Sequence, residues 1–255
     1  MKTFILCGGM GTRLDDEGKL KPKPLVCIGQ EPILLHILKI YSHYNFNEFV
    51  LCLGNKGKMI INYFIKKYKK KIILQKKIKG MYYIEIKKNK FIWKIYFINT
   101  KNNFGTAGRI KYAYNKLNLS EDIMMTYGDG VSDVNIKKLY NFHYDQNTLA
   151  TVTSVNAPYR YGTLEIKKNL LKKFNNTKSS NTKINGGFFI IDQRAIKFIN
   201  NYLEYWEEKP MQKIIKIKKF SSFFHNGFWH SLDTLKDKQI LNKMWFNKKA
   251  PWKLW

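Results

Sequence analysis

Three glycines near the start of the chain, followed by two cations, have the types and spacing to bind a polyphosphate. Gly8, Gly9 and Gly11 come directly after a short apolar run, and Arg13 lies two residues beyond the last glycine. Glycine lets the backbone approach a ligand closely, and successive N–H groups in such a loop form a concave phosphate site. Arg13 adds a forked cation, and Lys23 adds a point charge between two prolines. We therefore expect a phosphate-binding loop here, with a tight structural turn as the alternative.

The order of these glycines separates the loop from two common phosphate-binding loops. The string G-G-M-G-T-R-L lacks the third glycine of the dinucleotide-binding pattern. It also lacks the Gly-Lys-Ser/Thr ending of the P-loop. The sequence therefore predicts a third kind of loop.

A carboxylate between two glycines marks a second candidate site. Asp129 lies between Gly128 and Gly130, directly after the apolar run that begins at Ile123. In open α/β folds ligands bind beyond the carboxyl ends of the strands, where this residue is expected. Mg²⁺ prefers one or two carboxylates together with substrate phosphates, so Asp129 is a candidate metal ligand. The alternative is a carboxylate that only stabilises a turn.

Three further segments carry polar or glycine residues that could face a ligand. The segment Asn102–Lys111 predicts a turn leading into a helix whose N-terminus faces an anion or a base, or else a helix capped by Thr106. Gly186 and Gly187 head an aromatic strand, which a flat ligand or a β-bulge would explain. Asp233 precedes T-L-K-D-K and has the pattern of a helix N-cap, a role that does not exclude metal binding.

The elements that must position these residues alternate between strands and helices. Phe4–Cys7 and Glu48–Leu53 predict buried strands, and Pro32–Tyr44 and Lys58–Tyr68 predict helices. This order favours a Rossmann-like α/β fold with a mixed, mainly parallel sheet flanked by helices. The alternating pattern over Ile72–Ile98 predicts additional small β segments.

The second half of the chain continues this pattern. Val134–Tyr144 predicts a helix, and Leu149–Val155 and Ile184–Ile191 predict strands. The polar segment Asn175–Lys183 predicts an exposed loop. We expect all 255 residues to form one domain. His36 and His43 lie on the first predicted helix, and we assign them packing or surface roles.

The charge of the chain is strongly positive, with 46 basic and 18 acidic residues. Such a charge usually suggests nucleic acid or a membrane surface as a partner. Here lysine rises together with Asn, Ile, Phe and Tyr, whose codons are A/T-rich, and the lysines are spread along the chain. We therefore expect neither partner, although Lys66–Lys79 could form a positive surface.

The cysteines and the apolar runs bear on the cellular compartment of the protein. Cys7, Cys27 and Cys52 lie in or beside apolar runs without metal-site spacing, and predict reduced core residues. No run reaches the roughly 20 apolar residues that span a bilayer, and the first residues lack a secretory signal pattern. We expect a cytoplasmic protein.

Several strings together resemble the sugar-phosphate nucleotidyltransferases, and within them the group that uses CTP and glucose 1-phosphate. They include I-L-C-G-G-M-G-T-R-L, K-P-K-P-L-V, T-Y-G-D-G-V, I-N-G-G-F-F and G-F-W-H-S-L-D-T-L-K-D-K. Y-S-H-Y, G-F-W and A-P-W-K distinguish this group from its thymidylyl and uridylyl relatives. The resemblance covers nearly the whole chain.

The resemblance implies a role for each candidate residue. It implies Mg²⁺ held by Asp129 and Asp233, and catalytic roles for Arg13, Lys23 and Asp129. The nucleotide-binding residues would be Leu6, Cys7, Gly8, Gly9, Met10, Gly11, Thr12, Arg13, Lys23, Phe104, Thr106, Arg109 and Gly128. The sugar-binding residues would be Glu165, Lys178, Asn185, Gly186 and Trp229. It also implies a homo-oligomer, a hexamer, and a product, CDP-glucose, that feeds dideoxyhexose synthesis for surface polysaccharide such as O-antigen.

Two departures from the family pattern affect these roles. Relatives carry Glu-Lys-Pro after the phenylalanine that matches Phe174, where this chain has Asn-Asn-Thr-Lys, so Lys178 would take over sugar-phosphate binding. Relatives also place Ser at Phe104 and Gly at Ala107, which could alter base contacts.

The expected chemistry is attack by a glucose 1-phosphate oxygen on the α-phosphorus of CTP. Phosphate oxygens are already ionised, so positioning and charge neutralisation carry such a transfer and no side-chain nucleophile is needed. Three alternatives remain: another base or sugar specificity, a non-catalytic sugar-nucleotide-binding regulator, and a basic nucleic-acid binder.

Overall fold

The computed structural model describes residues 1–8, 21–78, 80–156 and 183–255, together with the backbone of 163–167 and 170–175. Fifteen strands lie within these residues. They are β1 (Lys2–Cys7), β2 (Cys27–Ile28), β3 (Glu31–Pro32), β4 (Glu48–Leu53), β5 (Ile72–Ile78), β6 (Met81–Lys87), β7 (Ile92–Asn99), β8 (Ile123–Tyr127), β9 (Gly130–Ser132), β10 (Ala150–Asn156), β11 (Thr163–Lys167), β12 (Leu170–Asn175), β13 (Lys183–Ile191), β14 (Phe220–His225) and β15 (Trp229–Ser231).

Six α-helices and three short 3₁₀ helices lie in the same described part of the chain. The α-helices are α1 (Ile33–His43), α2 (Gly57–Tyr68), α3 (Thr106–Lys116), α4 (Ile136–Gln146), α5 (Lys209–Lys216) and α6 (Leu235–Phe246). The 3₁₀ helices span Lys23–Leu25, Lys69–Lys71 and Gln193–Phe198.

Nine of the described strands form one sheet in the order β14-β10-β13-β8-β1-β4-β7-β6-β5. The four central strands β8, β1, β4 and β7 run parallel to one another. Strand β13 is antiparallel to both of its neighbours, and so is β6, so the other seven strands share one direction. The predicted mixed, mainly parallel sheet is confirmed, and its parallel centre brings the carboxyl ends of β1 and β8 to one edge.

Strand β1 shows why the sheet must be covered on both faces. Ile5 and Cys7 belong to one hydrophobic cluster with α1, while Phe4 and Leu6 belong to another with α3. Successive strand residues point to opposite faces of the sheet, so a strand that is apolar at every position must be buried on both faces. Helices on both faces supply that burial.

The predicted element positions agree closely with the structure. Glu48–Leu53 is a strand with the predicted bounds, and the predicted helix Pro32–Tyr44 begins and ends one residue inside those limits. The segment Ile72–Ile98 contains β5, β6 and most of β7. The pairs β2/β3, β9/β15 and β11/β12 are small antiparallel units outside the main sheet.

The lysine-rich segment lies at an edge of the main sheet. Lys69–Lys71 and β5 follow the end of α2, and Lys76 and Lys77 are exposed on β5, the terminal strand. Charged residues on an edge strand oppose pairing with another chain. This edge position gives the positive surface a structural role.

Candidate active site

Gly8 and Gly128, which begin the two predicted glycine turns, both lie at the carboxyl edge of the sheet. Strands β1 and β8 are parallel neighbours in which Leu6 pairs with Tyr127. The next residue, Gly128, donates its N–H to the Leu6 carbonyl at 3.1 Å. A side chain at Gly128 would lie 2.9 Å from that carbonyl, so this close approach requires glycine. Gly8 therefore lies beside Gly128 at the edge where the sequence placed both.

Three charged residues that are distant in sequence converge beside this edge. The ammonium nitrogen of Lys23 lies 2.7 Å from Asp129 Oδ2 and 2.7 Å from Asp233 Oδ1. The three side chains are between 19% and 28% exposed, so a ligand can reach them. Burial lowers the pKa of Lys23, but the two carboxylates outweigh it and raise the pKa overall. This cluster contains the cation and both predicted metal ligands.

A rigid turn holds Lys23 in this position. It begins the 3₁₀ helix Lys23–Leu25, closed by a 2.8 Å bond from the Leu25 N–H to the Pro22 carbonyl. The two flanking prolines fix φ on either side. Pro24 packs against Gly128, where an added side chain would lie 3.0 Å from its ring. The backbone of Lys23 is thus fixed, and its side chain alone can rearrange.

The two carboxylates are held by the small β9/β15 sheet. Gly130 pairs with Ser231 in this sheet, and the Leu232 N–H donates to the Asp129 carbonyl at 2.8 Å. Ser231 Oγ donates to Asp233 Oδ2 at 2.6 Å. The pairing therefore brings Asp129 and Asp233 together across 104 positions of sequence.

The expectation that Asp233 caps the last helix is wrong. The N-cap of α6 is Thr234, whose hydroxyl accepts the Asp237 N–H, while the Asp237 carboxylate accepts the Thr234 N–H. This reciprocal capping box satisfies the helix end, so the Asp233 carboxylate bonds Lys23 instead.

A buried arginine lies under the beginning of the glycine loop. Arg109 is 5% exposed, and its guanidinium donates to the carbonyls of Leu53 and Asn102 at 3.4 and 3.1 Å. Side chains at Gly8 and Gly54 would lie 2.2 and 2.9 Å from its Nη1, so both glycines are needed for its packing. Burial lowers the pKa of Arg109, but a guanidinium remains charged at neutral pH. Arg109 therefore supplies fixed positive charge beside the loop.

Phe104 and Thr106, the other predicted residues of the second glycine turn, have partners within the protein. The Phe104 ring stacks on Tyr202 at 4.8 Å between centroids. Thr106 begins α3, where Gly105 is the N-cap and no side-chain cap bond is present, so the proposed Thr106 cap is wrong. Its hydroxyl instead accepts the Trp206 N–H at 2.7 Å and donates to Glu207 at 2.8 Å.

The predicted sugar-side residues Asn185, Gly186 and Trp229 do come together. Trp229 Nε1 donates to the Gly186 carbonyl at 2.6 Å, and the Asn185 amide donates to the Tyr127 hydroxyl at 3.3 Å. Gly186 and Trp229 line a cavity of about 260 Å³, together with Tyr127 and both aspartates of the charged cluster. The register shift of β10 against β13 confirms a bulge at these glycines.

Two polar residues that the sequence did not single out are Tyr127, which lines this cavity, and its partner Glu207. The Tyr127 hydroxyl donates to Glu207, which also accepts from Thr106. Burial and the Glu207 carboxylate raise the pKa of Tyr127, so the phenol stays protonated. The segment Trp206-Glu207-Glu208 matches no known motif, so no signal in the sequence pointed to Glu207. The one signal for Tyr127 was its position directly before Gly128.

Some predicted residues lie outside the described part of the chain. These are Gly9, Met10, Gly11, Thr12, Arg13 and Lys178. Glu165 belongs to β11, which pairs with β12, but only its backbone is described.

The residues of the charged cluster fit a divalent metal ion. Asp129 and Asp233 converge on one cation, the Lys23 ammonium, so their carboxylates already form a site for positive charge. Mg²⁺ is commonly bound by one or two carboxylates plus substrate phosphates, and the glycine edge lies alongside. These two side chains could hold the ion, with the nucleotide completing its ligands.

A family model described as nucleotidyl transferase matches residues 2–230 of the chain. The chain belongs to the nucleotidyl transferase family. It is 36% identical over 260 residues to a glucose-1-phosphate cytidylyltransferase of Salmonella typhimurium, with all of both chains covered. It is also 36% identical over 257 residues to a probable glucose-1-phosphate cytidylyltransferase of Bacillus subtilis, again over all of both chains.

Solved structures agree on the fold. A putative glucose-1-phosphate thymidylyltransferase from Bacillus anthracis, in complex with a sucrose, superposes with a TM-score of 0.69. It covers 96% of this chain and 94% of its own, at 15% identity. Among the described residues of this nucleotidyl transferase, none of the helices is long and apolar enough to cross a membrane.

Proposed function

We propose that this nucleotidyl transferase transfers the cytidylyl group of CTP to glucose 1-phosphate, forming CDP-glucose and pyrophosphate. The observation that carries the proposal is the convergence of Lys23, Asp129 and Asp233 beside the Gly8 and Gly128 turns. The choice of CTP and glucose 1-phosphate is supported by the two full-length relatives that bear the cytidylyltransferase name.

In this proposal the first glycine loop holds the triphosphate. Gly8 begins the loop over the fixed charge of Arg109, and Leu6 and Cys7 support it from β1. Gly9, Met10, Gly11 and Thr12 extend it, and Arg13 spans two phosphate oxygens with its forked guanidinium. Phe104, Thr106 and Gly128 would adjoin the base and ribose. Mg²⁺, held by Asp129 and Asp233, would neutralise phosphate charge when bound.

The sugar phosphate would occupy the cavity beside the charged cluster. Gly186 and Trp229 line this cavity, and Asn185 bonds the hydroxyl of Tyr127, which also lines it. Glu165 would accept bonds from sugar hydroxyls. Lys23 and Lys178 would bring positive charge to the phosphates. The transfer then needs the attacking oxygen, the α-phosphorus and the pyrophosphate in line, which these contacts arrange.

The wider setting follows from the proposed chemistry. Nucleoside triphosphates are cytoplasmic metabolites, so we place the enzyme in the cytoplasm. The proposal also includes a homo-oligomer, a hexamer by the family resemblance, and a product that feeds surface polysaccharide synthesis.

The test is pyrophosphate release from CTP and glucose 1-phosphate. ATP, GTP, UTP and dTTP are each tested in place of CTP as the nucleotidyl donor. Asp129→Asn keeps the side-chain volume and removes one carboxylate charge, so we expect turnover to fall at least about a hundredfold. Asp145→Asn, the same change at an exposed position on α4, is the matched control. Near-wild-type turnover of Asp129→Asn at saturating Mg²⁺ would refute the assignment of Asp129.

A non-catalytic sugar-nucleotide-binding protein is the second candidate. The replacement of Glu-Lys-Pro by Asn-Asn-Thr-Lys after Phe174 favours it, because the family lysine that holds the sugar phosphate has moved. Calorimetric binding of CDP-glucose without any turnover would support this candidate over the enzyme.

A further inference from the structure

The ammonium of Lys23 occupies the place between the two carboxylates that a divalent ion would need. Its nitrogen lies 2.7 Å from one oxygen of each aspartate, so these two oxygens are at most about 5.4 Å apart. Mg²⁺ binds oxygen at about 2.0–2.1 Å, so an ion bridging the same two oxygens would draw them together and sit between them, where the ammonium now lies. Two cations cannot share that position.

The charges explain why the ammonium is there. Two carboxylates close together repel each other, and one cation between them removes most of that repulsion. Lys23 provides it from a turn whose backbone is fixed by two prolines and by the 2.8 Å bond within the turn. Lysine is a compact charge on a flexible four-carbon stem, so the charge can move although the backbone cannot.

We propose that Lys23 is a built-in counterion that the metal displaces. In the nucleotide-free protein its ammonium neutralises Asp129 and Asp233 and competes with divalent metal for the pair. When metal and nucleotide bind together, the ammonium leaves the carboxylates and pairs with a phosphate, which replaces the contacts it loses. The proposal rests on the proposed function, because it takes the aspartate pair as the metal site.

This exchange couples metal binding to nucleotide binding. Without nucleotide, a metal ion must displace the Lys23 ammonium while no other anion is available to that ammonium, so the metal ion binds weakly. Nucleotide supplies that anion, and by linkage each ligand raises the affinity for the other by the same factor. The site therefore assembles in full when metal and nucleotide are both present.

The test measures Mn²⁺ binding to the nucleotide-free protein by electron paramagnetic resonance. Lys23→Met removes the ammonium and keeps a side chain of similar length, so we expect Mn²⁺ to bind at least tenfold more tightly than to wild type. Lys21→Met is the matched control, because it removes the same charge from an exposed position two residues away. We expect less than a twofold change for that variant.

A second measurement needs no variant to fold. A crystal structure of the wild-type protein with Mn²⁺ and a non-hydrolysable CTP analogue should show the Lys23 nitrogen out of bonding distance of both aspartates. Unchanged or weaker Mn²⁺ binding by Lys23→Met, or an ammonium still bonded to both carboxylates beside bound Mn²⁺, would overturn the exchange.

Mn²⁺ binding by Asp129→Asn distinguishes failure of the proposed Lys23 exchange from failure of the proposed metal site. If that variant loses Mn²⁺ affinity while Lys23→Met gains none, the metal site stands and the exchange is wrong. If Mn²⁺ binding does not depend on Asp129, the metal site itself is wrong, and the exchange falls with it. Cytidylyl transfer is measured independently by pyrophosphate release.

Discussion

His36 should make the stability of the fold depend on pH. The ring is fully buried on α1, with Nε2 3.0 Å from the Ile28 carbonyl, and Nδ1 accepts the Trp252 Nε1–H at 3.3 Å. One nitrogen donates and the other accepts, so this arrangement needs the neutral ring. Burial lowers the pKa of His36 from 6.5 to about 4. The contacts join α1 to the β2/β3 turn just after Lys23 and to the C-terminal tryptophans.

The size of the effect follows from this difference in pKa. The unfolded chain binds a proton at His36 more readily than the folded one, so stability is complete above pH 6.5 and falls as the pH drops toward 4. One pKa unit corresponds to about 1.4 kcal/mol. The loss at His36 between pH 7 and pH 5 should therefore be about 2 kcal/mol, and it should reach about 3 kcal/mol by pH 4.

Urea unfolding at pH 7, 6 and 5 measures this loss. His36→Gln keeps hydrogen-bonding groups but does not titrate, so its free energy of unfolding should fall about 2 kcal/mol less over this range than that of wild type. His43→Gln, on the exposed side of the same helix, should retain the wild-type dependence. Equal pH dependence in His36→Gln and wild type would refute the account of His36.

Three further substitutions test the site. Gly187 has φ of +79° and a side chain there would lie 2.7 Å from Tyr127 Cδ2, so Gly187→Ala should cost at least 1–2 kcal/mol in urea unfolding, whereas Gly130→Ala, with its nearest neighbour at 4.0 Å, should cost almost nothing. The Glu207→Gln side chain cannot accept hydrogen bonds from both Tyr127 and Thr106 as the carboxylate does, so the free energy of unfolding should fall by about 1–3 kcal/mol and the KM for glucose 1-phosphate should rise. Lys178→Ala should raise the KM for glucose 1-phosphate and leave that for CTP unchanged; no change in either would show that another residue holds the sugar phosphate.

The sequence predicted the main sheet well because its strands are local patterns. Glu48–Leu53 is apolar on both faces, and that pattern has few interpretations once helices flank it. The antiparallel insertion of β13 between β8 and β10 could not be predicted in the same way. Strand order depends on contacts between segments that are distant in sequence, about 60 residues apart for β8 and β13, which periodicity does not encode.

The site residues that could be predicted are the glycines and charged residues that lie within recognisable sequence motifs. Asp129 and Asp233 were paired by the family resemblance, and the β9/β15 pairing gives the physical reason for their convergence. The pattern also predicts Asp233 as a helix cap, because an Asp before a helix satisfies the cap pattern, but Thr234 satisfies it equally and is the cap in the structure. Glu207 carried no local pattern, since its partners Tyr127 and Thr106 lie about 80 and 100 residues away.

Arg109 and Lys23 differ in their freedom to move, and that difference organises the site. Arg109 is buried between Gly8 and Gly54, and its guanidinium donates to carbonyl and hydroxyl oxygens, with no carboxylate partner in the described ranges. Its charge therefore stays under the loop whether or not a phosphate is bound. Lys23 is neutralised by two carboxylates and sits on a flexible stem, so its charge becomes available when another cation takes the carboxylates. A fixed charge can attract the triphosphate first, and a movable one can then follow the phosphate that is transferred.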